Sequence, residues 1–381
     1  MNGDTSTAEH LKRGHYAAHM NLAVRHFEVS RSNIREHRSV EATISDVPAG
    51  QLLLKIQHFA LTSNNITYGA FGEMMGYWNF FPTDRDAWGR VPVWGFAEVL
   101  VSEVDGIVRG GRFYGYYPMS THLLVTPGEV TPEGFTDVAA HRVAMPSVYN
   151  QYSKVTGPMD VDAEERTAVL RPLFTTSFLI DDFLGLNDLF GATSVIVASA
   201  SSKTALALGY MLSANERGDV VGLTSARNAE FVGTVGYYDR SVTYGSVAEH
   251  LDASRPTVLV DMGGDATVLA EVHEFFGDNL RHSCQVGATH WDKVSFGATL
   301  PGPAPQMFFA PTVVEQRIAD WGADGFRSRL GAAWSSFEAS AATWLHVREH
   351  ADFDAVGAVY SAVLEGRMRP NEAHVVLPNG R

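Results

Sequence analysis

Residues 193–227 read TSVIVASASSKTALALGYMLSANERGDVVGLTSAR. Val195-Ile196-Val197 is short, apolar and β-branched, the composition of a buried strand. Ala198-Ser199-Ala200-Ser201-Ser202 follows, with only tiny side chains. From Thr204 to Leu212 the apolar residues recur at helical spacing, and Gly218 closes that helix. Val220 to Thr224 is strand-like again. Strand, tight turn, helix and parallel strand make a βαβ unit. Its turn falls at a helix N-terminus, where free N–H groups and the helix dipole suit the pyrophosphate of a dinucleotide.

The chain around this unit has 381 residues, 45% hydrophobic, enough for two domains with real cores. Its net charge of −14, from 29 basic and 43 acidic residues, argues against nucleic acid and anionic membranes as partners. Cys284 is the single cysteine, which leaves no internal disulfide and no cysteine-built zinc site. No apolar run approaches membrane-spanning length. Residues 1–20 are polar, carry His10, His15 and His19, and lack the apolar core of a secretory signal, so a disordered tail and a cytoplasmic location are expected.

Before the βαβ unit, short alternating segments and turn signals predict an antiparallel, partly barrel-like domain. They include Leu22 to Val29, Val40 to Ile44, Gln51 to Leu61, Trp88 to Val99 and His122 to Val125. Gly157 to Glu165 reads as an acidic connection, and Arg171 to Phe190 as a helix leading into the unit. After it, Val258 to Asp261, Ala266 to Phe276 and Ser283 to Gly287 continue the strand–helix order, which predicts a doubly wound parallel sheet. Pro301 to Pro311 reads as a rigid loop, Val313 to Trp321 and Gly325 to Trp344 as two helices, and His374 to Leu377 as a closing strand. The division expected is 21–165 with 310–381 for the antiparallel domain and 166–309 for the parallel one.

This plan resembles the zinc-independent quinone-oxidoreductase and enoyl-reductase branch of the medium-chain dehydrogenase/reductases. Gly50-Gln51-Leu52-Leu53-Leu54-Lys55-Ile56 resembles the branch's G-x-V-L-V-K-V strand, and Gly111-Arg112-Phe113-Tyr114-Gly115 its G-D-R-V segment. Thr62-Ser63-Asn64-Asn65-Ile66 lies where the branch has an N-x-x-D turn. The strings LTSNNITYGAFGEMMGYWNFFP, WGRVPVWGFAEV, LRPLFTTSFLIDDFL, ASASSKTA and LPGPAPQMFFAP are similar to a narrower family of this architecture, DUF2855, whose name carries no reaction. The resemblance implies a GroES-like antiparallel domain, a Rossmann domain, a possible homodimer and an NADP(H) cofactor.

Several residues are candidates for that chemistry. Ser199, Ser201, Ser202, Lys203 and Thr204 replace the usual glycine-rich turn; serines are small enough for a pyrophosphate to approach, and Lys203 is placed to balance its charge. Ser225 and Arg227 follow the second strand, where NAD-selective sites carry an acidic residue; a hydroxyl and a cation suit the 2′-phosphate of NADP. Gly263, after the strand ending at Asp261, and His290, near a strand's C-terminal end, face the edge where such sheets bind ligands. Thr176 lies on the linking helix, where relatives touch the nicotinamide or the phosphates. A P-loop is excluded because Ser202 and Ala198 stand where its glycines belong.

The cluster Asn64, Asn65, Tyr68, Tyr77, Trp78 and Asn79 reads either as aromatic core or as a substrate wall. In relatives a tyrosine of this region hydrogen-bonds or protonates the substrate carbonyl, which makes Tyr68 and Tyr77 the catalytic candidates, oriented by Asn64 or Asn65. His346 and His350, four apart on an expected helix, read as a solvated face rather than metal ligands. The expectation is a metal-free NADPH-dependent reductase of a small apolar or aromatic substrate: an enone, quinone or carbonyl compound. The alternatives are a nucleotide-using enzyme of elimination or carbon–carbon cleavage, and an inactive NADP-binding sensor or scaffold.

Overall fold

The alternating segments at the start of the chain pair as expected in the computed structural model, which describes residues 20–158, 160–287 and 300–380. The predicted tail therefore lies, apart from Met20, outside the described residues, as does His290. Strand β1 (Leu22–Ser30) runs antiparallel to β2 (His37–Ile44), in register from Leu22 opposite Ile44 to Val29 opposite His37. Strand β3 (Leu52–Leu61) is followed by helix α1 (Ser63–Ala70), so the small polar stretch after the strand is helical. The backbone N–H of Thr62 donates to Asn65 Oδ1 at 2.7 Å, closing the first turn of α1.

The antiparallel part continues with β4 (Trp88–Gly89), β5 (Pro92–Ser102), β6 (Arg112–Pro118), β7 (His122–Val125), β8 (Pro127–Thr131), β9 (Gly134–Asp137) and β10 (Gln151–Lys154). Strand β5 pairs with β3 and β6. Gly95 permits the β3–β5 approach, since a Cβ there would lie 2.3 Å from the His58 carbonyl oxygen.

Helix α2 (Val161–Leu186) begins at Val161 rather than Arg171, because Asp160 caps it by accepting from Ala163 N and Pro172 is tolerated within it. The expected acidic connection thus ends in the first turn of this helix. The parallel part comprises β11 (Ser194–Ala198), α3 (Lys203–Ala214), β12 (Asp219–Thr224), α4 (Ala229–Val235), β13 (Arg240–Thr243), α5 (Val247–His250), β14 (Thr257–Asp261), α6 (Ala266–Phe276), β15 (Leu280–Gln285) and β16 (Gln306–Met307). The sheet order β13-β12-β11-β14-β15-β16 is all parallel and reverses at β11, so the turn after β11 sits at the switch point where doubly wound sheets bind ligands. All five residues of β11 are buried, as a strand covered by helices on both faces requires.

The proline-rich stretch is not all loop: Gln306 and Met307 form β16, and Pro311 lies in the first turn of α7 (Ala310–Ala341), where its missing N–H costs nothing. The two helices expected here are one, broken at Gly322 with φ 72° and ψ 160°. Phe337 of α7 stacks on Phe174 of α2 at 5.0 Å. The chain then returns to the antiparallel sheet through β17 (His346–His350), α8 (Ala355–Leu364) and β18 (Glu372–Val376), with β18 pairing antiparallel to β3. His346 and His350 therefore stand in a strand, not on a helix. The fold is α/β, with antiparallel sheets and a Rossmann-type parallel sheet. No helix among the described residues is long and apolar enough to cross a membrane.

Candidate active site

The serine turn keeps its shape without glycine because three side chains brace it from outside. Ser199 takes a left-handed conformation, φ 57°, normally a glycine's role. Asn228 donates to Ser201 Oγ at 2.9 Å. The Tyr238 hydroxyl lies 2.9 Å from the Ala200 carbonyl and 2.7 Å from that of Ala205, and Tyr244 reaches Ser199 Oγ at 3.4 Å. Tyr238 fits because its neighbours lack side chains: a Cβ on Gly209 would come within 2.7 Å of its ring, and one on Gly222 within 2.9 Å. Ser202 caps α3 by accepting from Ala205 N at 3.2 Å. Helix geometry leaves the N–H groups of Lys203 and Thr204 without intrahelical acceptors at the opening of α3.

The other predicted cofactor residues divide. Thr176, Ser202 and Thr204 line one cavity of about 380 Å³, together with Met262 and Gly287 at the ends of the parallel strands. Ser177 ties the linking helix to this wall, donating to the Thr204 carbonyl at 2.8 Å. Arg227 is exposed just past β12 and enters no ion pair among the described residues, beside a half-buried Ser225. Lys203 turns away from the turn: its ammonium lies 3.5 Å from the Pro370 carbonyl. Burial lowers it to about 8, against the attraction of Glu372. Gly263 gives its N–H to Asp261 Oδ1 at 2.9 Å, and Gly264 bonds the same carboxylate. Burial raises Asp261 to about 6, and these two amides hold it back. Both Lys203 and the Gly263 amide are thus committed within the protein.

Aromatic residues of the antiparallel part form the opposite wall. Tyr68 and Tyr77 line the cavity with ring centroids 4.4 Å apart, while Trp78 and Phe80 behind them are core. The cluster thus divides between members that line the cavity and members that are core. Asn64 donates to the Tyr68 hydroxyl at 2.7 Å. Asn65 does not reach the cavity: its Oδ1 accepts from Thr62 N and its Nδ2 donates to the Pro92 carbonyl at 2.8 Å. Burial pushes the Tyr68 phenol up, opposed by surrounding polar groups on Trp94, Asn64, Tyr116 and Tyr149. Tyr77 is raised by burial and by Tyr68, and lies 3.4 Å from the Tyr149 hydroxyl.

Sequence reasoning missed Trp94, Tyr114, Tyr149 and Arg171, which also line the cavity. Spacing along the chain says nothing of them, because β5, β6, the turn at Ser147–Tyr149 and α2 meet only through sheet pairing and helix packing. Among the described residues no three His, Cys, Asp or Glu side chains group as a metal site. Cys284 is buried in β15, and burial pushes its thiol up to about 12, an unreactive state.

An antiparallel domain, a Rossmann sheet whose switch point faces a cleft, and a C-terminal return to the first sheet define the medium-chain dehydrogenase/reductase architecture. The chain belongs to the family described as protein of unknown function (DUF2855), whose model matches residues 59–369. Among solved structures it is similar to CurA from Vibrio vulnificus in complex with NADPH, at 14% identity and a TM-score of 0.60, covering 94% of this chain and 100% of that one. It is similar to a mutant enoyl thioester reductase from Candida tropicalis at 10% identity and TM-score 0.57, covering 93% and 100%. TarJ from S. aureus in complex with NADPH follows at 8% identity and TM-score 0.56, covering 93% and 99%. No curated protein matches the sequence.

Proposed function

We propose that the protein is an NADPH-dependent, metal-free reductase acting on an enone, quinone or carbonyl compound in the cleft. The observation that carries this reading is one cavity lined on one side by Tyr68, with Asn64 on its hydroxyl, and on the other by Thr176, Ser202 and Thr204 beside a helix N-terminus. That two similar folds are described as complexes with NADPH supports the choice of cofactor. The division into 21–165 with 310–381 and 166–309 follows from the same reading.

Ser202, Thr204 and the free N–H groups opening α3 hold the pyrophosphate, and Ser225 with Arg227 holds the 2′-phosphate. Thr176 orients the nicotinamide. NADPH, when bound, supplies the hydride. Tyr68 donates its proton toward the substrate oxygen; its own oxygen already accepts from Asn64, which fixes the rotor. A phenol whose pKa is raised by burial stays protonated, hence a donor, throughout the physiological range. Tyr77 and the other rings exclude water from the slot.

Reduced-nicotinamide absorbance, followed with NADPH across a panel of enones, quinones and aldehydes, tests this reading. Substrate-dependent oxidation that falls sharply in Tyr68→Phe supports it. Tight NADPH binding with no oxidation over the panel would move the protein to non-redox chemistry or sensing.

A further inference from the structure

Arg171 lines the cavity, and the proposed reaction leaves its guanidinium unused. It stands on α2, half-buried, one turn before Thr175 and Thr176. Among the described residues its guanidinium has neither a carboxylate partner nor a hydrogen-bond acceptor; the charged or titratable neighbour that acts on it is the Tyr114 phenol. Arg327, which also lines the cavity, differs in being paired with Asp324. Withdrawing a cation from water without an anion is costly, and burial accordingly lowers the Arg171 pKa. A protein that merely needed to fill this position would gain by an apolar residue.

A further donor beside it is also unused. Of Trp94 and Tyr114, which both line the cavity, the indole acts on the Tyr68 phenol, while the Tyr114 hydroxyl is sealed from bulk water without a hydrogen-bond partner. Their rings stack at 5.4 Å, which holds both side chains in place. The Trp334 ring lies 5.2 Å from the Arg171 guanidinium carbon, supporting it through its π face and leaving the N–H donors free. A buried donor without an acceptor is rare, and one beside an unpaired cation at the same cavity marks the place of an absent acceptor.

We propose that Arg171 and Tyr114 form a carboxylate-binding subsite, so that the substrate is an enone or related carbonyl compound bearing a carboxylate. The inference rests on the reductase reading and deepens it. A carboxylate matches the donors in charge and shape: one unit of negative charge against one of positive, two oxygens against a planar fork, and a third donor from the Tyr114 phenol. A phosphate dianion would leave a charge uncompensated. Met307, Phe308, Val314 and Leu330 surround the cavity with apolar surface for the carbon skeleton.

The test is the affinity of β-benzoylacrylic acid against its methyl ester, with and without NADP+, read by tryptophan fluorescence, alongside separate titration of NADPH. The wild type should bind the acid at least tenfold more tightly than the ester. Arg171→Met should bring the ratio close to one with NADPH affinity unchanged, and Arg171→Lys should keep part of it. An acid that binds no better than the ester in wild type, including binding by neither, overturns the subsite. So does a ratio retained in a folded Arg171→Met, or a variant that loses NADPH affinity instead, which would assign the guanidinium to a cofactor phosphate. Loss of the reductase reading shows separately, as failure of wild-type NADPH binding; the acid–ester ratio without cofactor then still decides the subsite.

Discussion

Asn64 and Tyr68 sit one helical turn apart on α1, and the Asn64 amide donates to the Tyr68 hydroxyl at 2.7 Å. The contact occupies the phenol oxygen and leaves its proton to be donated elsewhere. Only a helix at 63–70 brings the two side chains together, since residues four apart share a face. The Asn65 amide, by contrast, holds the start of that helix.

Replacing Tyr68 with Phe should therefore lower kcat by about a hundredfold or more, the range of a lost general acid, with NADPH affinity nearly unchanged. Asn64→Ala should cost less, about tenfold, since the phenol remains. Steady-state kinetics beside cofactor titration measure both. Equal activity of Tyr68→Phe and wild type would remove the phenol from the mechanism.

Gly209→Ala is expected to damage the cofactor turn from behind. Its new methyl would meet the Tyr238 ring at 2.7 Å, and Tyr238 holds the Ala200 and Ala205 carbonyls. Overpacking of this kind costs about 1–3 kcal/mol. The variant should melt several degrees lower and bind NADPH less tightly. Tyr238→Phe keeps the packing and removes the brace, so its NADPH affinity should fall with a smaller change in melting temperature.

Stability should decline as pH falls below 6.5. Burial, assisted by Arg90 and His122, lowers His26 to about 3, and burial with Lys55 lowers His122 to about 4. Both are neutral in the fold and protonate first in the unfolded chain, so the unfolded state binds more protons between about 6.5 and 4. The stability they allow is complete above pH 6.5 and is lost toward their folded values, at up to about 1.4 kcal/mol per pH unit for each group. Thermal melts from pH 7 to 5 should show this slope, and His26→Gln should flatten it. An unchanged slope in that variant would contradict the assignment.

The parallel half was legible because its signals are local. The run from Val195 to Thr224 folds as β11, α3 and β12 within a residue or two of its pattern, and Ala266 to Phe276 is helical to the residue. Local signals failed where distant packing decides. The acidic start of α2 and its internal Pro172 disguised ten residues of helix, and Gly322 made one broken helix read as two. Lys203 looked like a phosphate partner in sequence, yet the return of the chain through Pro370 and Glu372 draws its ammonium away. Arg171 read as one residue of the helix leading into the βαβ unit; the Tyr114 phenol that joins it at the cavity lies strands away in sequence.

The most direct test of the account is titration of NADPH and NADH into wild type and Arg227→Ala, following nicotinamide fluorescence. Arg227 is exposed past β12 and free of ion pairs among the described residues, so its removal leaves the fold intact. The account predicts that wild type binds NADPH more tightly than NADH, and that Arg227→Ala weakens NADPH about tenfold or more while leaving NADH nearly unchanged. Failure of either nucleotide to bind at millimolar concentration, or an equal loss for both in the variant, would contradict it.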